Sequence, residues 1–209
     1  MSAQLTWSHY CELLSIKDIN EINYYINISI KQNLSKRQLR EKIKSKEYQR
    51  LDDNTKLKLI NKEETVVSDF IKNPIVIKNK YNIDKEEVTE KILKKLILED
   101  LDNFLKELGT GFSYIENEYK IKIGNTYNYI DLLLFNYINN CFVIIKLKVT
   151  ELKKEHIGQI QIYMNYVDKN IKTINQDKTI GVIISKKDNG YYIEYSSDNR
   201  IFSKNYILS

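Results

Sequence analysis

Tyr129-Ile130-Asp131-Leu132-Leu133 and, beyond a turn at Asn139-Asn140, Ile144-Ile145-Lys146-Leu147-Lys148 are the two stretches that decide the fold. Both are short and aliphatic, as buried strands are, yet each carries charge inside it. Side chains alternate across a strand, so Lys146 and Lys148 share one face. With Asp131 on the neighbouring strand facing the same way, three charged groups converge beside an apolar sheet. Buried charge requires a partner. The residues alone therefore fit either a structural ion pair or a site with chemistry.

Working outward, Tyr119, Ile121 and Ile123 alternate with Lys120 and Lys122, and Gly124-Asn125 supplies a turn. This pattern predicts strands ending near Ile123, over 127–135 and over 141–149. Upstream, residues 84–108 carry Val88, Ile92, Leu96, Leu101, Phe104, Leu105 and Leu108 at helical spacing and stop at Gly109, which predicts one long helix. Downstream, Ile157, Ile160, Tyr163 and Val167 predict a helix over 154–168. A buried strand over 179–185 follows, then an Asn189-Gly190 turn and an edge strand over 191–195. Helix, three strands, helix and further strands make an α/β domain, a mixed sheet flanked by helices.

The amino-terminal part reads differently. Residues 1–50 are helical, with Ile22, Tyr25, Ile26 and Ile30 in phase over 20–32. Ser35 is placed as an N-cap, with Gln38 three residues on completing a capping box. The next helix turns Leu39 and Ile43 inward and carries Lys36, Arg37, Arg40, Lys42, Lys44, Lys46 and Arg50 against Glu41 and Glu47. Seven positive less two negative charges give a local excess of +5, as large as that of the whole chain. Such a face is either solvated or a phosphate-binding patch, with Arg37, Arg40 and Lys44 as the candidate nucleic-acid contacts. Residues 51–80 are expected to be a linker holding a short helix, broken at Asn73-Pro74. Residues 81–209 are expected to form the main domain.

Composition narrows the classes. A 42% hydrophobic content excludes wholesale disorder. The longest apolar runs, Leu132 to Phe135 and Cys141 to Ile145, are too short to span a bilayer, and the amino terminus has no signal-peptide pattern. A soluble, cytoplasmic protein is expected, with Cys11 and Cys141 as reduced thiols. Pairing His9 with Cys11, or Cys141 with His156, lacks the short ligand spacings of a zinc site. There is no glycine-rich phosphate loop and no Ser-His-Asp arrangement. The tyrosines at 191, 192, 195 and 206 are expected to pack along an edge strand.

Leu5-Thr6-Trp7-Ser8-His9-Tyr10, Phe104 to Gly111, Tyr129 to Leu133, Gly158-Gln159 and Tyr163-Met164-Asn165 together resemble the bacterial YhcG-like family of PD-(D/E)XK nucleases. The resemblance implies a restriction-endonuclease-like core acting on or binding DNA, with Mg2+ or Mn2+ as cofactor. It implies Asp131 as the metal-ligand aspartate, Lys148 as the lysine at the attacking water and phosphate, and Gln159 as a polar residue facing the site. It also implies a longer helical region ahead of Trp7, so the chain is expected to be shortened at its amino end.

Two positions depart from the family pattern. Lys146 stands where the family has the Glu of Glu-x-Lys, and Lys94 aligns with a family Glu on the first long helix. A protonated lysine has no lone pair for a cation, so the metal site is degenerate. Glu99, Asp100, Glu116, Glu118, Glu151 and Glu155 are the acids near enough in sequence to compensate; Glu99 and Asp100 lie on the first helix, and nothing in the sequence favours one candidate. Two functions follow: a metal-dependent DNA endonuclease using a relocated acid, or an inactive module that binds nucleic acid or a protein partner. A homo-oligomer is compatible with either.

Overall fold

The computed structural model describes residues 5–63, 65–187, 191–194 and 196–209, and the chain divides into two compact units, Met1–Thr65 and Val66–Ser209. The first is helical: α1 (Trp7–Leu13), α2 (Ile19–Lys31), α3 (Lys36–Lys44) and α4 (Asp53–Asn61). Ser35 caps α3 as its sequence predicts, accepting from the Gln38 N–H while the Gln38 side chain accepts from the Ser35 N–H. Tyr25 and Leu39 are fully buried at the centre of this unit. His9, also buried, ties α1 to the chain ahead of α3 through the Leu34 carbonyl, 2.9 Å from its Nε2.

The second unit is built on one sheet in the order β1-β6-β5-β4-β3-β2. Its strands are β1 (Ile75–Ile77), β2 (Phe112–Ile123), β3 (Thr126–Asn136), β4 (Cys141–Glu151), β5 (Asp177–Lys187) and β6 (Ile201–Leu208). β2, β3 and β4 run antiparallel in turn, whereas β4, β5, β6 and β1 are parallel neighbours. The sheet is therefore mixed. Helices α5 (Glu90–Glu99) and α6 (Leu101–Leu108) cover one face, packing Leu93, Leu96, Ile97, Phe104 and Leu108 with Leu132, Val143, Ile145 and Leu147. Helix α7 (Lys154–Asn170) covers the other with Ile157, Ile160, Met164 and Val167, against Leu133, Ile144 and Ile183.

Three expectations are corrected. The single helix over 84–108 is two helices. Thr89 caps α5 by accepting from the Ile92 N–H, so the preceding residues stay outside it. Asp100, at φ −133° and ψ 46°, ends α5 and begins α6. Residues 51–80 hold the expected short helix as α4 but also the strand β1, which joins the sheet beside β6. The edge strand over 191–195 is instead a helical turn, α8 (Tyr191–Glu194), while Tyr195 and the Asn189-Gly190 turn lie outside the described residues. β6 follows it as an inner strand and buries Tyr206 in the core, not at an edge.

How closely α7 approaches the sheet depends on Gly181 of β5. A Cβ there would sit 2.6 Å from the Met164 sulfur and 2.9 Å from Ile160 Cδ1. Gly181→Ala is expected to cost about 1–3 kcal/mol through overpacking, read as a lower urea midpoint with an unchanged m-value.

Candidate active site

The site lies where β3 and β4 separate. Their pairing runs from Asn136/Cys141 to Leu132/Ile145, beyond which β3 continues with β2 alone. The next residue of β3 is Asp131. Its Oδ2 accepts from the backbone N–H of Leu147 at 2.9 Å, a side chain supplying what a strand carbonyl no longer does. This bond aims the carboxylate at β4, where Lys146 lies opposite.

The Lys146 side chain is 9% exposed and that of Asp131 19%, and their charged atoms are 3.3 Å apart at Oδ2. Lys146 reaches Oδ1 at 3.5 Å. The same ammonium lies 5.9 Å from the ring centre of Tyr163 on α7. Lys148, two residues along the same face, pairs at 2.8 Å with Glu90 in the first turn of α5. Gln159 donates to the Tyr163 hydroxyl at 2.9 Å, one turn further along α7. Asp131, Lys146 and Lys148 thus come together, and Gln159 reaches the group through Tyr163.

Two further residues belong here that the sequence did not single out. Glu90 precedes Lys94, the position to which the resemblance pointed, by one helical turn of α5. His156 precedes Gln159 by three and so shares its face of α7, a spacing that was available in the sequence. His156 is held below the ordinary histidine value of 6.5, chiefly by burial and then by the positive charge of Lys148. Its Nδ1 accepts from the Lys153 N–H at 3.1 Å, which also requires the neutral ring. Tyr163 is raised above the usual phenol value, first by burial, with the negative charge of Asp131 adding to it and the Gln159 bond opposing it.

Four of the six nominated acids are engaged elsewhere, while Glu155 lies 3.7 Å from His156 Nε2. Glu99 accepts from Tyr81, and Asp100 pairs with Lys78. Glu118 pairs with Lys94, which is thereby turned to β2, and Glu151 pairs with Lys187. Of the acids on the first long helix, Glu90 is the one at the site, not Glu99 or Asp100. On α3, Arg37 pairs with Glu41 and Arg40 with Glu12, whose carboxyl is held below its usual range by that guanidinium. Among the described residues Lys44 has no carboxylate within ion-pair distance. Much of the positive charge of this helix is locally neutralised.

The donor set does not fit a divalent metal. Such a cation needs several carboxylate or carbonyl oxygens at about 2.0–2.6 Å. Asp131 offers one carboxylate, already bonded to an amide and an ammonium, and Glu90 faces Lys148 instead. Among the described residues no group of three or more His, Cys, Asp or Glu side chains is placed to hold an ion.

Residues 68–208 match the family model for the YhcG PDDEXK nuclease domain, and residues 1–50 match that of the DUF1016 N-terminal domain. The first match covers more than half of the chain, which therefore belongs to the YhcG PDDEXK nuclease family, with the PD-(D/E)XK core that its sheet and flanking helices display. Over 189 residues the chain is 26% identical to a protein named "Putative nuclease YhcG" from Escherichia coli (strain K12), covering 88% of this chain and 50% of that one. The chain thus spans about half the length of the curated relative it matches. Two solved structures are similar at lower levels. A repair endonuclease from Pyrococcus abyssi is 16% identical with a TM-score of 0.41, covering 57% of this chain and 47% of that one. An EndoMS–dsDNA complex is 17% identical with a TM-score of 0.42, covering 59% and 48%. Among the described residues no helix is long and apolar enough to cross a membrane.

Two outcomes follow from the charges. Asp131→Ala strands a buried ammonium and is expected to cost about 1–3 kcal/mol. Asp131→Ala/Lys146→Met is expected to recover the part of that loss due to the stranded ammonium in urea denaturation, a positive coupling between neighbours, with the Leu147 amide still lacking its acceptor. For His156, the unfolded chain takes its proton near 6.5 and the folded chain only at lower pH. The unfolded state then binds more protons in that interval, so stability is full above about 6.5 and falls as the pH drops below it. His156→Gln is expected to flatten the change in urea midpoint between about pH 7.5 and 5.5.

Proposed function

We propose that this chain binds DNA at the opened edge of its sheet and does not cleave it by the metal-dependent route of an intact carboxylate pair. The observation that carries this reading is the Lys146 ammonium, 3.3 Å from Asp131 Oδ2. It puts a fixed positive charge where the family pattern has a second acid. A cation arriving there meets charge repulsion and one carboxylate that is already bonded. A metal-bound hydroxide is the nucleophile that such sites supply, and lysine cannot generate one.

The same substitution suits a phosphate. Lys146 and Lys148 place two ammonium groups on one face of β4, and Lys can act as a point charge toward phosphate oxygens. The Glu90 side chain is 43% exposed, so its pair with Lys148 is worth no more than about 1 kcal/mol and yields readily to an incoming anion. Family membership supports DNA as the ligand, and the net charge of +5 is compatible with it.

The test compares wild type, Asp131→Ala and Lys146→Glu on supercoiled plasmid and single-stranded DNA with Mg2+ or Mn2+. Wild type is expected to bind without cutting, with an affinity that EDTA leaves unchanged. Lys146→Glu, which restores the acid, is expected to nick DNA and to gain thermal stability from Mg2+, whereas wild type gains none. Cleavage by wild type that disappears in Asp131→Ala would overturn the reading and point to Glu90 as a recruited acid.

A further inference from the structure

From the hairpin of β2 and β3 we infer a second DNA-contacting surface, a strip of alternating lysine and tyrosine that leads along β3 to Asp131. The inference rests on the reading that this chain binds DNA and names the residues that would track the strand outside the site. Past the end of the β4 pairing, the hairpin continues as a two-stranded arm. Lys120 lies directly opposite Tyr129 and Lys122 opposite Tyr127. Strand alternation puts all four on one face. Tyr127 is 53% exposed and Tyr129 50%, and both lysines are exposed.

The opposite face anchors the arm. Ile121 and Ile130 are buried in the core cluster that includes α7, with Tyr119 and Ile123 packed beside them. The arm is therefore held in place with one side left to solvent. On that side the Lys120 ammonium lies 3.9 Å from the ring centre of Tyr127 and that of Lys122 lies 5.9 Å away. One exposed ring thus holds two ammonium groups together. Among the described residues neither lysine has a carboxylate within ion-pair distance. The contrast is with Arg37 and Arg40 on α3, each of which is paired to a glutamate.

The chemistry fits a polyanion with flat faces. Lysines meet phosphates, and exposed aromatic rings accept stacked bases without regard to sequence. Tyr129 and Tyr127 precede Asp131 on β3 by two and four residues, at about 7 Å per two residues. The strip therefore lies about 7–14 Å from Asp131, the reach of roughly two to four nucleotides at about 3.4 Å each.

The experiment is fluorescence anisotropy of the whole chain with a labelled duplex and a labelled single strand in EDTA, across a NaCl series. Lys120→Gln/Lys122→Gln is expected to make the slope of log K against log salt less negative by about 1.8 on duplex, roughly 0.9 for each lost phosphate contact. Lys95→Gln/Lys106→Gln removes the same net charge from α5 and α6 and is expected to leave the slope unchanged. Tyr127→Ala/Tyr129→Ala is expected to weaken single-strand binding about tenfold or more with little change of slope. Wild-type binding with the same slope and affinity in Lys120→Gln/Lys122→Gln would overturn the strip alone, leaving DNA binding intact. No binding by wild type would overturn both.

Discussion

Where β3 parts from β4, the amide of Leu147 needs an acceptor, and the Asp131 carboxylate provides it. An open sheet ladder leaves backbone groups unsatisfied, so a side chain able to replace a carbonyl is a structural requirement at this point. The carboxylate is thereby fixed, and its charge then needs an answer. Lys146 gives that answer from the opposite strand, and Lys148 and Glu90 repeat the arrangement one step along β4. The residues that open the sheet are also those that define the site. Changing Asp131 therefore perturbs folding and chemistry together, which is why the paired substitutions with Lys146 are informative.

The same arrangement lets charge sit inside an apolar sheet. The Lys146 ammonium balances the Asp131 carboxylate from within the chain. The pair preserves local neutrality and the apolar packing on both faces of β4, where Val143, Ile145 and Leu147 lie with α5 and α6 while Ile144 lies with α7.

Much of this was legible in the chain because it rests on alternation and turns. Gly124-Asn125 and Asn139-Asn140 marked the hairpins, and Asp131, Lys146 and Lys148 fell on one site because strands place side chains with period two. Ser35 with Gln38 marked α3 by a local bond. The failures arose where a single residue overrode a pattern. Asp100 interrupts a helical periodicity that continues through it, since both halves bury the same kind of stripe. β1 is only three residues long and depends on β6 to be a strand, so nothing local announces it. Glu90 was hidden for a related reason: its pairing with Lys148 depends on α5 docking against β4 across 58 residues of chain. The charge balance of α3 was not legible, because composition counts Arg40 without showing that it pairs with Glu12.

The pair between Lys148 and Glu90 joins residues 58 apart in the chain, whereas Lys146 and Asp131 are only 15 apart and belong to adjacent strands of one antiparallel pair. Closing the shorter loop costs less entropy, and the hairpin can set Asp131 against Lys146 by itself. Lys148 finds Glu90 only when α5 has docked on the sheet. The two halves of the site therefore report on different levels of order. A partial opening that lifts α5 would free Lys148 while leaving the inner pair closed, so the outer half of the site is the part that local unfolding can expose first.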